Sequence, residues 1–380
     1  MRRSFRVWKI SRSAVGVPRI PFTFDHPITC IAMILITGAT GLVGSHLLYR
    51  LVSAGHPVRI LVRDPARLRV VERVFGYYSA SFAELSDKIS VVQGDLLDPG
   101  SLDASMAGVK QVYNCGAVVS FNPSERDWLI RNNIEATANL VNACLEHGVE
   151  KLAQVSSTSA IGKETKEQLL TEETEWKYSR SLTGYAISKY ESEREAWRGE
   201  AEGLQVVIVN PAMVVGPGQW GESSTALIDK CYKGLNFYTT GVNAWVDVRD
   251  VADALVQLME GPVSGERFIL AGENMEFSKF FGMVCGALGV PAPRYRAGKM
   301  LAELVWRAEW LRCRITGKNP LITRETARTA NKRDLYSSQK IKDAIGFTFR
   351  PMQDTIEWTC RHYLNDLKKP VTPPDPSSGL

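Results

Sequence analysis

The 380-residue chain has no uninterrupted apolar run of about 18 residues, so no membrane-spanning helix is evident in it. It also lacks any Cys-x-x-Cys pair. Its seven cysteines (Cys30, Cys115, Cys144, Cys231, Cys285, Cys313 and Cys360) are odd in number and scattered, and its five histidines show no metal-ligand spacing. A disulfide framework and a structural zinc are therefore excluded as organising devices, no metal is expected, and a reducing cytoplasm is the expected location. There is no internal repeat, which excludes a solenoid. Nor is there a global charge. The net +5 lies wholly in residues 1–32, which carry six basic side chains and Asp25, and the chain from Met33 onward sums to zero. Such a body has no electrostatic means of recruiting nucleic acid.

Residues 1–32 contain Arg and Ser and almost no acid, which fits either an organelle-targeting peptide or an upstream extension that folds poorly. The second reading is preferred, because Met33 stands directly at a first strand. The Pro- and Ser-rich stretch 369–380 is expected to be disordered. Lys299–Ile315 is apolar with interspersed Arg, which suits packing on its own domain and leaves peripheral contact with a membrane surface open.

What the chain does have is Thr37-Gly38-Ala39-Thr40-Gly41-Leu42-Val43-Gly44, between the apolar run Ile34-Leu35-Ile36 and the helical pattern of Ser45–Val52. Strand, glycine turn and helix follow in the order a dinucleotide fold requires. Gly38 permits the tight turn, Gly41 lets backbone N–H groups approach a pyrophosphate, and Gly44 lets the helix pack closely.

Strand and helix patterns alternate for about 240 residues. Strands are expected at Met33–Thr37, Val58–Val62, Ile89–Gln93, Gln111–Asn114, Leu152–Ser156 and Gln205–Val209. Helices are expected near Leu42–Ala54, Pro65–Phe75, Ser101–Ala107, Ser124–His147 and Tyr185–Glu200, with Ser81–Lys88 a loop or short helix. This order argues an α/β fold with a doubly wound parallel sheet of Rossmann type. The expected organisation is a dinucleotide-binding core over 33–211 and a smaller C-terminal substrate lobe over 212–368, into which some core elements return. In that second part the rhythm becomes irregular, with helices expected at Ser223–Lys233, Val251–Met259 and Phe277–Leu288 and a strand at Arg267–Leu270.

Tyr185-Ala186-Ile187-Ser188-Lys189 places a phenol and an ammonium at i and i+4, on one face of a helix. A phenol titrates near pH ~10 and is a poor proton shuttle at neutrality, and a nearby cation is expected to pull that value down. Ser156-Ser157-Thr158-Ser159 closes the preceding strand. Its hydroxyls should face the crevice where open α/β sheets bind ligands, one of them to satisfy loop backbone and another to hydrogen-bond a reacting oxygen.

With these residues in place the chain resembles an extended short-chain dehydrogenase/reductase of the epimerase/dehydratase-like group, nearest to its dihydroflavonol-reductase and 3β-hydroxysteroid-dehydrogenase branches. The resemblance runs over about residues 33–272. It is carried by Thr37–Gly44, Gly94-Asp95-Leu96, Asn133–Thr137, Val155–Gly162, Tyr185–Lys189, Asn210–Gly218 and Val246–Ala252. It implies Tyr185 as acid/base, Lys189 on the nicotinamide ribose, Ser157 polarising a carbonyl, and Asn133 in a structural or water-relay role. It also implies Gly38, Thr40, Gly41, Leu42, Val43 and Gly44 around the pyrophosphate, Asp95 and Leu96 at the adenine, and Asn210-Pro211 and Val214 on the nicotinamide side. A homodimer through the helices at Ser124–His147 and Tyr185–Glu200 is implied as well. One departure stands out: relatives commonly carry a His-x-Ala-Ala-like segment after the fourth strand, and this chain has Asn114-Cys115-Gly116-Ala117.

The second strand ends Leu61-Val62-Arg63-Asp64, with Val62 where an NAD-selecting acid would stand and Arg63 able to meet a 2′-phosphate. NADP(H) is therefore expected over NAD(H), unless Arg63 is solvated or pairs with Asp64 or Asp98. The expected activity is an NADP(H)-dependent oxidoreductase interconverting a carbonyl and an alcohol. Trp220, Tyr232, Phe237, Tyr238 and Trp245 favour an apolar small-molecule substrate over the polar one of a nucleotide-sugar epimerase or dehydratase with tightly held NAD. A non-catalytic NADP-binding scaffold is the third reading, and such relatives typically lack the Tyr–Lys pair kept here.

Overall fold

The computed structural model describes residues 32–120, 122–162, 169–179, 182–298, 306–307 and 331–368. The expectations for residues 1–31 and 369–380, and for almost all of 299–315, lie outside the described residues.

Five strands of the central sheet alternate with helices. They are β1 (Met33–Thr37), α1 (Leu42–Ser53), β2 (Val58–Val62), α2 (Leu68–Tyr77), α3 (Phe82–Leu85), β3 (Ile89–Gln93), α4 (Pro99–Met106), β4 (Val109–Asn114), α5 (Arg126–Glu146) and β5 (Lys151–Val155). Then follow β6 (Leu169–Leu170), α6 (Gly184–Ala201), β7 (Gln205–Pro211), β8 (Met213–Val215), α7 (Thr225–Tyr232), β9 (Phe237–Tyr238), β10 (Val242–Asp247), α8 (Val248–Glu260), β11 (Glu266–Leu270), β12 (Glu273–Glu276), α9 (Phe277–Leu288), β13 (Tyr295–Arg296) and β14 (Leu335–Tyr336). Two helices, α10 (Gln339–Ile345) and α11 (Met352–Lys368), complete the order.

The main sheet has seven strands in the order β3-β2-β1-β4-β5-β7-β11, every pairing parallel. Parallel strands need helical crossovers, which cover both faces and explain the near-continuous apolar runs such as Ile34-Leu35-Ile36. On one face Leu47, Leu48, Leu51, Val71, Phe75, Val251, Leu255 and Leu258 from α1, α2 and α8 bury against the sheet. On the other, Leu102, Met106, Leu140, Val141, Cys144 and Ala196 from α4, α5 and α6 do so.

Differences from the sequence expectation have local causes. β5 starts at Lys151, whose buried Nζ donates to Leu258 O at 2.7 Å and Gly261 O at 2.8 Å, so a charged residue enters the sheet. α8 starts at Val248 because the Asp247 carboxylate caps it, accepting from Arg249 N at 2.7 Å. Ser124 lies in a 3-10 turn, Pro123–Glu125, ahead of α5.

Beyond β7 the chain builds a smaller sheet, β12-β10-β8, packed with α7, α9 and α11 around a third core. The aromatic residues expected to favour an apolar substrate belong largely to this core. Trp245 is fully buried and stacked on Phe280 with ring centroids 3.5 Å apart. Trp220 sits edge-on to Tyr363 and donates Nε1–H to Asp366 at 2.9 Å, and Tyr238 packs against the same cluster. Trp220, Tyr238 and Trp245 are thus taken up in packing this core and do not favour an apolar substrate. Tyr232 and Phe237 are exposed.

Candidate active site

The C-terminal ends of the main-sheet strands bring the sequence-derived residues to one edge. After β1, Gly38 has φ +67°, the left-handed region that favours glycine. A Cβ on Gly38 would lie 2.6 Å from the Cys115 carbonyl carbon, and one on Gly44 would lie 2.2 Å from Gly38 O. Gly41 is the N-cap of α1. No side chain caps this helix, and its first turn (Leu42, Val43, Gly44) carries no acid. N–H groups without a side-chain cap, at the positive end of a helix dipole, fit a pyrophosphate.

Asn114 explains the departure after β4. Thr37, Asn114 and Gln154 are register partners across β1, β4 and β5. Thr37 Oγ1 donates to Asn114 Oδ1 at 2.6 Å, and Asn114 Nδ2 donates to Gln154 Oε1 at 2.8 Å. Gly116 N also donates to Asn114 Oδ1, at 3.2 Å. The asparagine thus fixes the strand end and the loop bordering the glycine turn. Next to it, burial pushes the Cys115 thiol up to about 12.

At the second strand end Val62 is buried and Arg63 is exposed, with no hydrogen bond or ion pair among the described residues. Asp64 is occupied locally, accepting from Ala66 N at 3.0 Å. Asp95 accepts from Leu97 N at 3.0 Å, while Leu96 packs into the core on the α4–α5 side and its carbonyl accepts from Asn139.

Ser157 is the N-cap of a 3-10 turn, Thr158–Ala160, and its Oγ accepts from Ser159 N at 3.1 Å. Its hydroxyl also acts on the Tyr185 phenol, favouring the phenolate. Tyr185 stands on α6, which Thr183 caps by accepting from Ala186 N at 3.0 Å. Burial raises the Tyr185 pKa, and the nearby Ser157 hydroxyl opposes that rise only in part. This differs from the expected depression. The Lys189 Nζ donates to Val155 O at 3.0 Å, and the titratable side chains that act on it are Glu193 and Cys115. Burial lowers Lys189 to about 8.

Asn133, on α5, has both ends of its amide engaged. Oδ1 accepts from Val118 N and Nδ2 donates to Val118 O, each at 2.9 Å, and Nδ2 also reaches Ser188 Oγ at 3.2 Å. It clamps the loop after β4 to α6. Pro211 ends β7 and Val214 lies on β8 beside it, with Ser224 Oγ donating to Val214 O at 2.6 Å.

Two groups were missed by sequence reasoning. His46, buried on α1, is hydrogen-bonded through Nε2 to Pro217 O at 2.8 Å and through Nδ1 to Tyr78 OH at 2.6 Å, tying the core to the lobe. Burial depresses it from 6.5 to about 4, so it is neutral. The other is Glu193, buried one turn beyond Lys189; its i+4 spacing from Lys189 was the available signal.

These features define a dinucleotide-binding α/β enzyme with hydroxyl, phenol and ammonium groups gathered at the strand ends. Comparison with known proteins identifies it further. The sequence model of the NAD dependent epimerase/dehydratase family matches residues 34–271, and the chain belongs to that family. It is an NAD(P)-dependent oxidoreductase of the extended short-chain dehydrogenase/reductase group. It is 27% identical to a putative dihydroflavonol 4-reductase of Synechocystis over 89% of this chain and 97% of the relative. It is 28% identical to cinnamoyl-CoA reductase 1 of Oryza sativa over 85% and 88%. Among solved structures, that of gox2253 superposes with a TM-score of 0.72 at 30% identity, covering 88% of this chain and 98% of the other. The UDP-glucose 4-epimerase of Thermotoga maritima shares the fold, with a TM-score of 0.69 at 19% identity over 88% and 100%. No helix among the described residues is long and apolar enough to cross a membrane.

Proposed function

We propose that the protein is an NADP(H)-dependent reductase or dehydrogenase that interconverts a carbonyl and an alcohol. The observation that carries this reading is the approach of the Ser157 hydroxyl, in the turn just past β5, to the Tyr185 phenol on α6, with Lys189 one turn further along that helix. In the reducing direction the phenol must arrive protonated, and its raised pKa keeps it so. Tyr185 gives its proton to the carbonyl oxygen while Ser157 donates a hydrogen bond to the same oxygen as charge develops there. Removing a donor of this kind typically costs about 10²–10³ in rate. Lys189 would hold the ribose hydroxyls of the bound cofactor, and Asn133 acts from behind by fixing the 118 loop against α6. A bound nicotinamide supplies or accepts the hydride.

For the cofactor itself, the uncapped turn of α1 and the close-packed glycines fit the pyrophosphate. Asp95 and Leu96 would border the adenine, and Pro211 and Val214 the nicotinamide side. Arg63, which has no partner among the described residues, supports NADP(H). Relatives named as dihydroflavonol 4-reductase and cinnamoyl-CoA reductase support a carbonyl substrate.

Calorimetric titration of the nucleotide-free protein with NADPH and with NADH tests the reading. Tighter binding of NADPH is the expected result. Preference for NAD(H), or a nucleotide that cannot be removed, would favour an epimerase or dehydratase, and binding of neither would leave a scaffold.

A further inference from the structure

Beyond the ends of α7 and α9 the lobe carries a face that its own core does not use. β9 and β13 pair as a two-stranded parallel sheet in which Phe237 is the register partner of Tyr295. Register partners share a face, and here the two rings meet with centroids 5.7 Å apart. Neither is covered: Phe237 is 48% exposed and Tyr295 61%. The next residue, Tyr238, packs against the lobe core, so the pair stands on the outer side. The connection from α9 into β13 adds Pro291 and Ala292, both exposed. It is fixed in place by Arg294 N and Tyr295 N, which donate to Asn236 O at 3.1 and 3.0 Å.

The charge around these rings has one sign. Every charged residue of 230–246 and of 277–298 is basic: Lys230 and Lys233 in the first stretch, Lys279, Arg294 and Arg296 in the second. Lys233 pairs with Asp229, and Lys279 with Glu273. Arg294 and Arg296, on either side of Tyr295, are exposed and make no ion pair among the described residues.

We propose that this face docks reversibly on an anionic lipid bilayer, with Phe237 and Tyr295 entering the headgroup layer and Arg294 and Arg296 meeting acidic headgroups. A bilayer surface offers a plane of negative charge over an apolar layer, and the face matches both. Aromatic rings favour the headgroup level, and a cation held close to an anionic surface is worth roughly fivefold in affinity. Either contribution alone holds a protein weakly, whereas the two together suffice for reversible contact. A second polypeptide adding to the open edge of β13 is a poorer fit. Pro291 and Pro293, just ahead of that strand, have no N–H to offer a ladder. This docking goes beyond the oxidoreductase reading and does not depend on it.

Co-sedimentation of the full chain with vesicles tests the proposal. The wild type should bind mixed phosphatidylcholine–phosphatidylserine vesicles at least about tenfold more tightly than phosphatidylcholine alone. Raising salt from about 0.1 M to about 1 M should remove most of that difference. Arg294→Gln combined with Arg296→Gln should weaken binding to the mixed vesicles roughly twentyfold. Phe237→Ser combined with Tyr295→Ser should weaken it about tenfold, and the loss should remain at high salt. Thermal melts of both double variants should stay close to the wild type, because all four side chains are exposed. A wild type that ignores the mixed vesicles overturns the proposal. Binding that survives both double variants also overturns it and places the contact on another basic part of the chain, residues 1–32 among them. Self-association without vesicle binding, abolished by the serine variant, overturns it in favour of a contact between two copies.

Discussion

Thr37 and Asn114 lie 77 residues apart and meet at 2.6 Å, hydroxyl to amide oxygen, at the ends of adjacent parallel strands. Asn114 is almost wholly buried and also serves Gln154 and Gly116, so one side chain ties β1, β4, β5 and the loop beside the glycine turn. Asn114→Ala would leave the Thr37 hydroxyl and the Gln154 amide without their partner in the interior, at a cost of about 2–3 kcal/mol. Urea unfolding should read that loss. NADPH affinity should fall with it, because the loop is 2.6 Å from where a Gly38 Cβ would stand.

Glycines give a paired prediction. Gly44→Ala places a methyl 2.2 Å from Gly38 O, so α1 must move off the turn, and NADPH binding should weaken more than tenfold. Gly76 near the end of α2 has open space around it, and Gly76→Ala should stabilise by roughly 0.5–1 kcal/mol. Equal melting shifts in the two variants would contradict the packing described.

Tyr185→Phe should retain NADPH affinity and lose most turnover. Ser157→Ala should lose about 10²–10³ in turnover. Near-normal turnover in the phenylalanine variant would rule out the phenol as acid/base.

Arg63→Ala should weaken NADPH about tenfold to a hundredfold, the worth of a charge-assisted bond of roughly 1.5–3 kcal/mol, and leave NADH unchanged. An NADPH preference that persists in the variant would show that another group reads the 2′-phosphate.

His46 sets an acid limit. Its folded pKa is depressed from 6.5 to about 4, so below about 6.5 the unfolded chain takes up the proton first. Stability should fall as pH drops from 6.5 toward 4 and level off below that, by roughly 3 kcal/mol in all. In His46→Gln that part of the pH dependence should vanish, as urea midpoints at several pH values would show.

The strands that form the sheet interior were legible because burial on both faces writes them as apolar runs. β1 and β2 carry the expected boundaries, and so do the half-exposed edge strand β3 and the helix α9. Lys151 hid the start of β5, since nothing local announces two carbonyls waiting in the α8 turn. The lobe was harder. β8 and β12 are three and four residues long and owe their existence to β10 between them, and α11 forms part of a core whose other members lie more than 60 residues away. In the candidate site, turn and spacing marked Gly38, Gly44, Tyr185 and Lys189. The direction of the Tyr185 shift was not legible, because it depends on how deeply the phenol is buried and on where the Lys189 Nζ points.

Strand β11 has a practical consequence for anyone cutting this gene. It joins the edge of the main sheet only after the chain has passed through β8, α7 and β10, and α8, which precedes it, packs over α1. A fragment ending at Pro211 would carry the whole glycine turn and the Tyr–Lys helix. It would also present β7 as a naked, apolar edge and strip the cover from Leu47 and Leu51, and such edges recruit other chains. The nucleotide-binding half is therefore not a portable module, and shortened versions should be sought by deleting surface loops between elements.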